Sequence, residues 1–224
     1  MPFQGFYKPE GIALFRHTLT LILLGTLAGC ANQNLAGYMP ATPDRVEYLG
    51  VTLLPPPGND WYVAEQRDLN EWRLVYKHTL PAGVHSDPAE SGMNIMVVVD
   101  ALPAEYHQQF ATRGTVLDEF RKRLEAPGPD YLKTLSSKTT LITIDGNEAV
   151  CHTRTSEDLS NPAAHTLLDA EFIALPHPKD PTLGVMITIT SRRFANDPPT
   201  PLAPLTDVFV QQMHFTPPVR DAIR

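Results

Sequence analysis

The alternation of apolar and polar residues predicts a series of β-strands along the chain after residue 45. The segment VEYLGVTLL, which starts at residue 46, favours an opening strand. WYVAEQR and EWRLVYKH favour a hairpin with a three-residue turn at residues 68–70. A turn of that length predicts that Glu65 faces Arg73 as a charge pair on the solvated side of the sheet.

The second half of the chain continues the strand pattern. The continuous apolar run MNIMVVVD, residues 93–100, is typical of a central strand that is buried on both faces. Residues 139–154 predict a hairpin around an Asp-Gly turn, and residues 165–194 predict another across the longer loop PHPKDPT. The hairpins favour an antiparallel sheet.

Two stretches have helical periodicity instead. Residues 115–125 predict a helix, because Thr115 and Asp118 resemble a capping box and the Pro-Gly pair at residues 127–128 ends the run. The segment LTDVFVQQM, residues 205–213, predicts a closing amphipathic helix. The chain is therefore expected to have an α+β fold, with a single antiparallel sheet of seven or eight strands flanked by two main helices.

The first thirty residues have a different pattern. An apolar run at residues 19–27 follows Lys8 and Arg16, and it is too short for a transmembrane helix, which needs about 20 apolar residues. A basic leader, a short apolar segment and a small-residue exit are typical of a secretory signal. The segment closes with LAGC, which resembles the lipobox of bacterial lipoproteins. That resemblance implies cleavage before Cys30 and attachment of acyl chains, including palmitate, to this cysteine.

The lipobox resemblance divides the chain into four parts. Residues 1–29 are expected to be a signal peptide, residues 30–45 a flexible lipid-anchored tether, residues 46–217 the folded domain and residues 218–224 a short tail. Ala31 follows the lipobox cysteine, which implies a cell-envelope location at the outer membrane, facing the periplasm, in an organism that has one. The alternative is an ordinary secretory signal in which Cys30 is incidental.

The order of predicted elements resembles a known fold family. A proline-rich turn that runs into a tryptophan, LPPPGNDW, and the later turn IDGNEA occur within a succession similar to PsbP-like and DcrB-like domains. The resemblance covers residues 46–216 and implies an α/β/α sandwich. It carries no shared catalytic motif and implies a binding or accessory role.

Charge and motifs exclude several function classes. The chain of 224 residues has a formal charge of −7; without residues 1–29, which hold two basic residues and one acidic residue, it is −8. No cluster of Lys and Arg is present, so we expect no nucleic-acid partner. The sequence lacks P-loop, dinucleotide, GxSxG and HExxH motifs, and we predict no cofactor and no metal.

Cys151 and His152 are adjacent and suggest a nucleophile beside its base. Successive side chains of a strand point to opposite faces, so the two side chains are not expected to meet. With Cys30 lipidated, Cys151 is interpreted as a small buried apolar residue. A redox or nucleophilic role is the alternative.

Asp169 and Glu171 are two positions apart in a strand and share a face, as an acid/base pair could. Pairing Phe172 with Ile187 would place both carboxylates opposite threonines, with Arg192 diagonal to Asp169. This arrangement predicts an ordinary polar outer face.

Three other residues invite a functional interpretation. His177 could bind a metal, but a solvated loop histidine is favoured. Trp61 and Trp72 could line a pocket, and core packing explains them equally well.

The sequence leaves two functions open. The favoured one is a lipid-anchored, non-enzymatic envelope protein that binds an envelope protein or a small ligand and contacts the membrane through Cys30. The alternative is an envelope hydrolase whose site is assembled from distant residues; Asp169, Glu171 and Cys151 are its candidates.

Overall fold

The computed structural model describes residues 38–68, 71–78, 92–102, 113–160, 165–199 and 201–218. These residues form eleven strands and two helices. The strands are β1 (Met39–Pro40), β2 (Val46–Tyr48), β3 (Val51–Leu53), β4 (Trp61–Arg67), β5 (Glu71–His78), β6 (Met93–Ala101), β7 (Leu132–Ile144), β8 (Asn147–Asp158), β9 (Thr166–Pro176), β10 (Leu183–Phe194) and β11 (His214–Phe215). The helices are α1 (Arg113–Glu125) and α2 (Ala203–Gln211). Neither helix in this part of the chain is long and apolar enough to cross a membrane.

Eight strands form one sheet in the order β1-β4-β5-β6-β10-β9-β8-β7, and β11-β3-β2 form a smaller sheet. All pairings between these strands are antiparallel. The two faces of strand β8 show where the helices lie. Arg154 bonds to the end of α1. Cys151 points to the opposite face, where it bonds to Glu171, the side chain that also bonds to α2. The two helices cover opposite faces, and the predicted α+β sandwich is confirmed. The predicted single sheet is wrong, because the expected opening strand turns at Leu49 and Gly50 and forms β2 and β3 of the smaller sheet.

Helix α1 begins two residues before the predicted start and ends at the predicted residue. Its buried residues include Val116, Phe120 and Leu124, which follow the spacing of one helical face. Arg154 on β8 closes the helix, because its Nη2 donates hydrogen bonds to the carbonyls of Leu124 at 2.7 Å and Ala126 at 2.9 Å. These bonds satisfy carbonyls that a helix C-terminus leaves without partners.

The hairpin of β7 and β8 confirms the predicted Asp-Gly turn. Ile144 pairs with Asn147, and Asp145 and Gly146 have φ angles of 48° and 73°. A type I′ turn requires positive φ at both central residues, which glycine and aspartate tolerate.

The predicted register of the first hairpin is wrong by one residue. Glu65 pairs with Leu74 and not with Arg73. The Asp68 N–H donates to the Glu71 carbonyl at 2.8 Å, so two residues and not three lie between the paired ends of the strands. Glu65 therefore lies beside Leu74 but remains exposed, and it accepts hydrogen bonds from Trp72 Nε1 and Arg67 Nε, each at 2.7 Å.

The register of the last hairpin also differs from the prediction. Ile187 pairs with Ile173 and not with Phe172. Strands β9 and β10 are buried on both faces along most of their length, so apolar residues occur at successive positions and do not fix the register.

Part of the predicted tether belongs to the sheet. Met39 and Pro40 pair with Val63 and Tyr62 of β4, ahead of the predicted domain start at residue 46. Cys30, the predicted signal peptide and most of the predicted tail lie outside the described residues.

The core between the sheet and α2 is centred on aromatic residues. Phe209 of α2 and Tyr76 of β5 are fully buried and meet edge to face, with ring centroids 6.3 Å apart. The pair joins the helix to the middle of the sheet.

We predict that Phe209→Ala lowers the free energy of unfolding by about 3–5 kcal/mol, because the truncated ring leaves a cavity. The adjacent Val208 is 38 % exposed, so Val208→Ala is expected to cost about 0.5 kcal/mol or less. Equilibrium unfolding in urea measures both changes. Similar losses for the two variants would contradict the packing of α2 described here.

Candidate functional site

A groove lies where the open ends of β7, β8 and β9 meet the start of α2, and its volume is about 300 Å³. Its lining includes Ser136, Lys138, Thr153, Thr155, Asp169, Glu171 and Leu202. We call it the α2 groove. It contains both of the carboxylates that the sequence analysis considered as an acid/base pair.

Cross-strand pairing builds the floor of the α2 groove. Lys138 pairs with Thr153, and Thr153 pairs with Glu171, so these three residues form one row across the sheet. Because the row lies on one face, its side chains point toward α2. Sequence analysis did not single out Lys138 or Thr153, since only the paired strands bring them to Glu171.

Glu171 is buried at the inner end of the groove, with 7 % of its surface exposed. Its Oε1 accepts a hydrogen bond from Cys151 Sγ at 3.2 Å. Its Oε2 accepts one from Thr206 Oγ1 of α2 at 2.5 Å. No ion pair to Glu171 occurs within the described part of the chain.

The prediction that Asp169 and Glu171 lie on an ordinary polar outer face is therefore wrong for Glu171. The register shift places Glu171 opposite Ile189 of β10 and not opposite Thr188, and α2 covers it. The placement of a distant helix over this face has no local signal in the sequence. Thr206, which makes the contact, was missed for the same reason.

Asp169 has a different environment, because an arginine compensates its charge. Arg193 Nε donates to Asp169 Oδ2 at 2.7 Å, and Thr155 Oγ1 donates to Asp169 Oδ1 at 2.8 Å. The predicted partner Arg192 instead pairs with Asp158 at 2.9 Å. The change of one register position exchanges the two arginines between the faces of the sheet.

The thiol of Cys151 is buried, as predicted, with 4 % of the residue exposed. Burial raises the pKa of the Cys151 thiol to about 12, and the nearby Glu171 carboxylate adds to the shift. A thiol in this state donates a hydrogen bond and is a poor nucleophile near neutral pH.

His152 points away from Cys151, also as predicted. Its Nδ1 lies 2.9 Å from Thr139 Oγ1, and its Nε2 accepts a hydrogen bond from Arg154 Nε at 3.3 Å. Burial lowers the pKa of His152, and the Arg154 charge adds to this effect. The cysteine and histidine therefore do not form a catalytic pair.

His177 is not a solvated loop residue, and that prediction is wrong. It is 2 % exposed, and its Nδ1 accepts hydrogen bonds from the backbone N–H groups of Lys179 and Asp180. It holds the β9–β10 connection in place. The described residues contain no group of three or more His, Cys, Asp and Glu side chains arranged for a metal ion.

A second cleft, of about 550 Å³, lies beside the proline-rich turn before β4. Trp61 borders it and donates from Nε1 to the Pro57 carbonyl at 3.1 Å. Trp72 is fully buried in the core instead. Asp60 is the single carboxylate of this lining, whereas the α2 groove contains both Asp169 and Glu171.

No model of a protein family matches the chain, and no curated protein matches it significantly.

We predict that maleimide modifies Cys151 of the folded protein at least about 100-fold more slowly than Cys151 of the urea-unfolded protein, because the buried thiol forms little thiolate. Peptide mapping by mass spectrometry separates Cys151 from Cys30. Rates within about tenfold of each other would contradict the burial and the raised pKa.

Proposed function

We propose that this protein is a lipid-anchored, non-enzymatic component of the cell envelope whose folded domain binds a small ligand or a partner protein. The observation that carries the proposal is the LAGC sequence at the end of a short apolar run, with Cys30 as the anchor. The α2 groove is the candidate ligand site. The location follows from the same motif: the outer membrane, facing the periplasm, where the organism has one.

The lipid anchor is supported by the physics of the first thirty residues. The apolar run is too short to span a bilayer, while an acyl chain contributes about 0.8 kcal/mol per buried CH₂ group. Several chains on one cysteine give durable attachment. The acidic balance of the chain offers no electrostatic attraction to anionic lipids, so attachment depends on the acyl chains.

The burial of Cys151 and the ion pair of Asp169 favour binding over hydrolysis. The Cys151 thiol has a raised pKa, and Asp169 is held by Arg193. Neither group is prepared to act as a nucleophile or general base. The alternative, an envelope hydrolase, would need a site built from other residues.

The resemblance to PsbP-like and DcrB-like domains rests on the sequence, on the order of predicted elements and on the segments LPPPGNDW and IDGNEA. That resemblance implies an accessory or binding role without a shared catalytic motif. We propose this family on that resemblance.

We predict that Cys30→Ser abolishes incorporation of radioactive palmitate and leaves an unprocessed precursor, because the serine has no thiol to receive the lipid. Cys151→Ser is the matched control, since it removes the other cysteine of the chain. Labelling of immunoprecipitated protein in growing cells measures both. A palmitate-labelled or correctly cleaved Cys30→Ser protein would contradict the lipid anchor.

A further inference from the structure

The carboxylate of Glu171 lies at the inner end of the α2 groove without a cationic side chain to neutralise it in the described part of the chain. A buried carboxylate is costly unless a cation or several hydrogen bonds compensate it. We propose that the α2 groove binds a small hydroxylated molecule through an ammonium group that pairs with Glu171. The inference rests on the proposed function and names the chemical class of its ligand.

Glu171 keeps the capacity to accept further hydrogen bonds. An ionised carboxylate has about four acceptor positions. Cys151 and Thr206 occupy one position on each oxygen, and both donors are neutral. An ammonium group has three donors, so it can use the remaining positions and supply the missing positive charge.

The charges around Glu171 favour a cation over an anion. Asp207 of α2 is close enough to add to the raised pKa of Cys151, so it contributes further negative potential. Asp169 is compensated by Arg193. The N-terminus of α2 carries a partial positive charge of about half a unit, which offsets only part of the Glu171 charge.

Arg154 and Lys138 are the cationic residues of the groove lining. Arg154 directs its guanidinium to the carbonyls at the end of α1, on the other face of the sheet. Lys138 is an exposed residue at the outer edge. It makes no ion pair within the described residues. Lysine is strongly hydrated on a flexible stem, so its ammonium group favours solvent over a buried site. The inner position beside Glu171 therefore remains available to a ligand amine.

The remainder of the lining explains why the ligand is expected to carry hydroxyl groups. Ser136, Thr153 and Thr155 supply hydroxyls that both donate and accept hydrogen bonds. Leu202 supplies an apolar contact at the helix end. A volume of about 300 Å³ accommodates a molecule of monosaccharide size, at the lower end of the usual range for ligand pockets.

D-Glucosamine and D-glucose are the matched probes, because they differ by an ammonium group in place of one hydroxyl. Ligand-observed NMR titrations use the full chain in detergent micelles at a mildly acidic pH, where the amine is protonated. We expect glucosamine to bind at least about tenfold more tightly than glucose, since a charge-assisted hydrogen bond is stronger than a neutral one.

Glu171→Gln keeps the shape of the side chain and removes its charge, so we expect it to weaken glucosamine binding at least about tenfold. Glu47→Gln is the matched control, because Glu47 is an exposed carboxylate of β2 outside the groove lining, and it should leave glucosamine affinity unchanged. Thermal unfolding of both variants verifies that they fold.

Equal affinity for the two sugars, no binding of glucosamine, or a Glu171→Gln variant that binds glucosamine within twofold of the native protein would overturn the ligand class. Palmitate labelling of Cys30 is a separate readout of the anchored protein. A failure of the amine proposal is thereby distinguished from a failure of the proposed function.

Discussion

The buried carboxylate of Glu171 is the contact on which the arrangement of sheet, helix and groove depends. One oxygen accepts from Cys151 of β8 and the other from Thr206 of α2, so a single side chain of β9 bonds to both neighbours. Phe209, one turn further along α2, packs on Tyr76 and fixes the helix over the same face. The groove exists because α2 begins beside this carboxylate and leaves the ends of β7 and β8 uncovered.

Stability alone does not explain why a carboxylate is buried with two neutral hydrogen-bond donors. Desolvation of a carboxylate costs several kcal/mol, and two neutral donors return only part of that cost. The contrast with Asp169 is informative, because Asp169 has an arginine at 2.7 Å on the same face of the sheet. Groups that violate the usual rules of burial are found most often at functional sites. This physical contrast supports assigning the ligand site to Glu171.

The sequence predicted most elements of the fold, and its failures have identifiable physical causes. Periodicity located β4 to β10, both helices and the Asp-Gly hairpin, since local spacing determines those features. It merged β2 and β3 into one strand and missed the two-residue strands β1 and β11, which are too short to show a period. The register of β9 against β10 was missed because both faces of these strands are buried, and alternation then carries no information. Asp169, Glu171 and Cys151 were identified as the candidates, but the contact of Glu171 with Thr206 spans 35 residues and has no local signal.

The central claim is that the charge of Glu171 serves binding and does not stabilise the fold. Equilibrium unfolding of ligand-free Glu171→Gln tests it most directly, because glutamine can still hydrogen-bond to Thr206 and Cys151 while the desolvation cost of the charge disappears. The account predicts a free energy of unfolding equal to or higher than that of the native protein. A loss of more than about 2 kcal/mol would show that the negative charge itself stabilises the fold, and would contradict the claim.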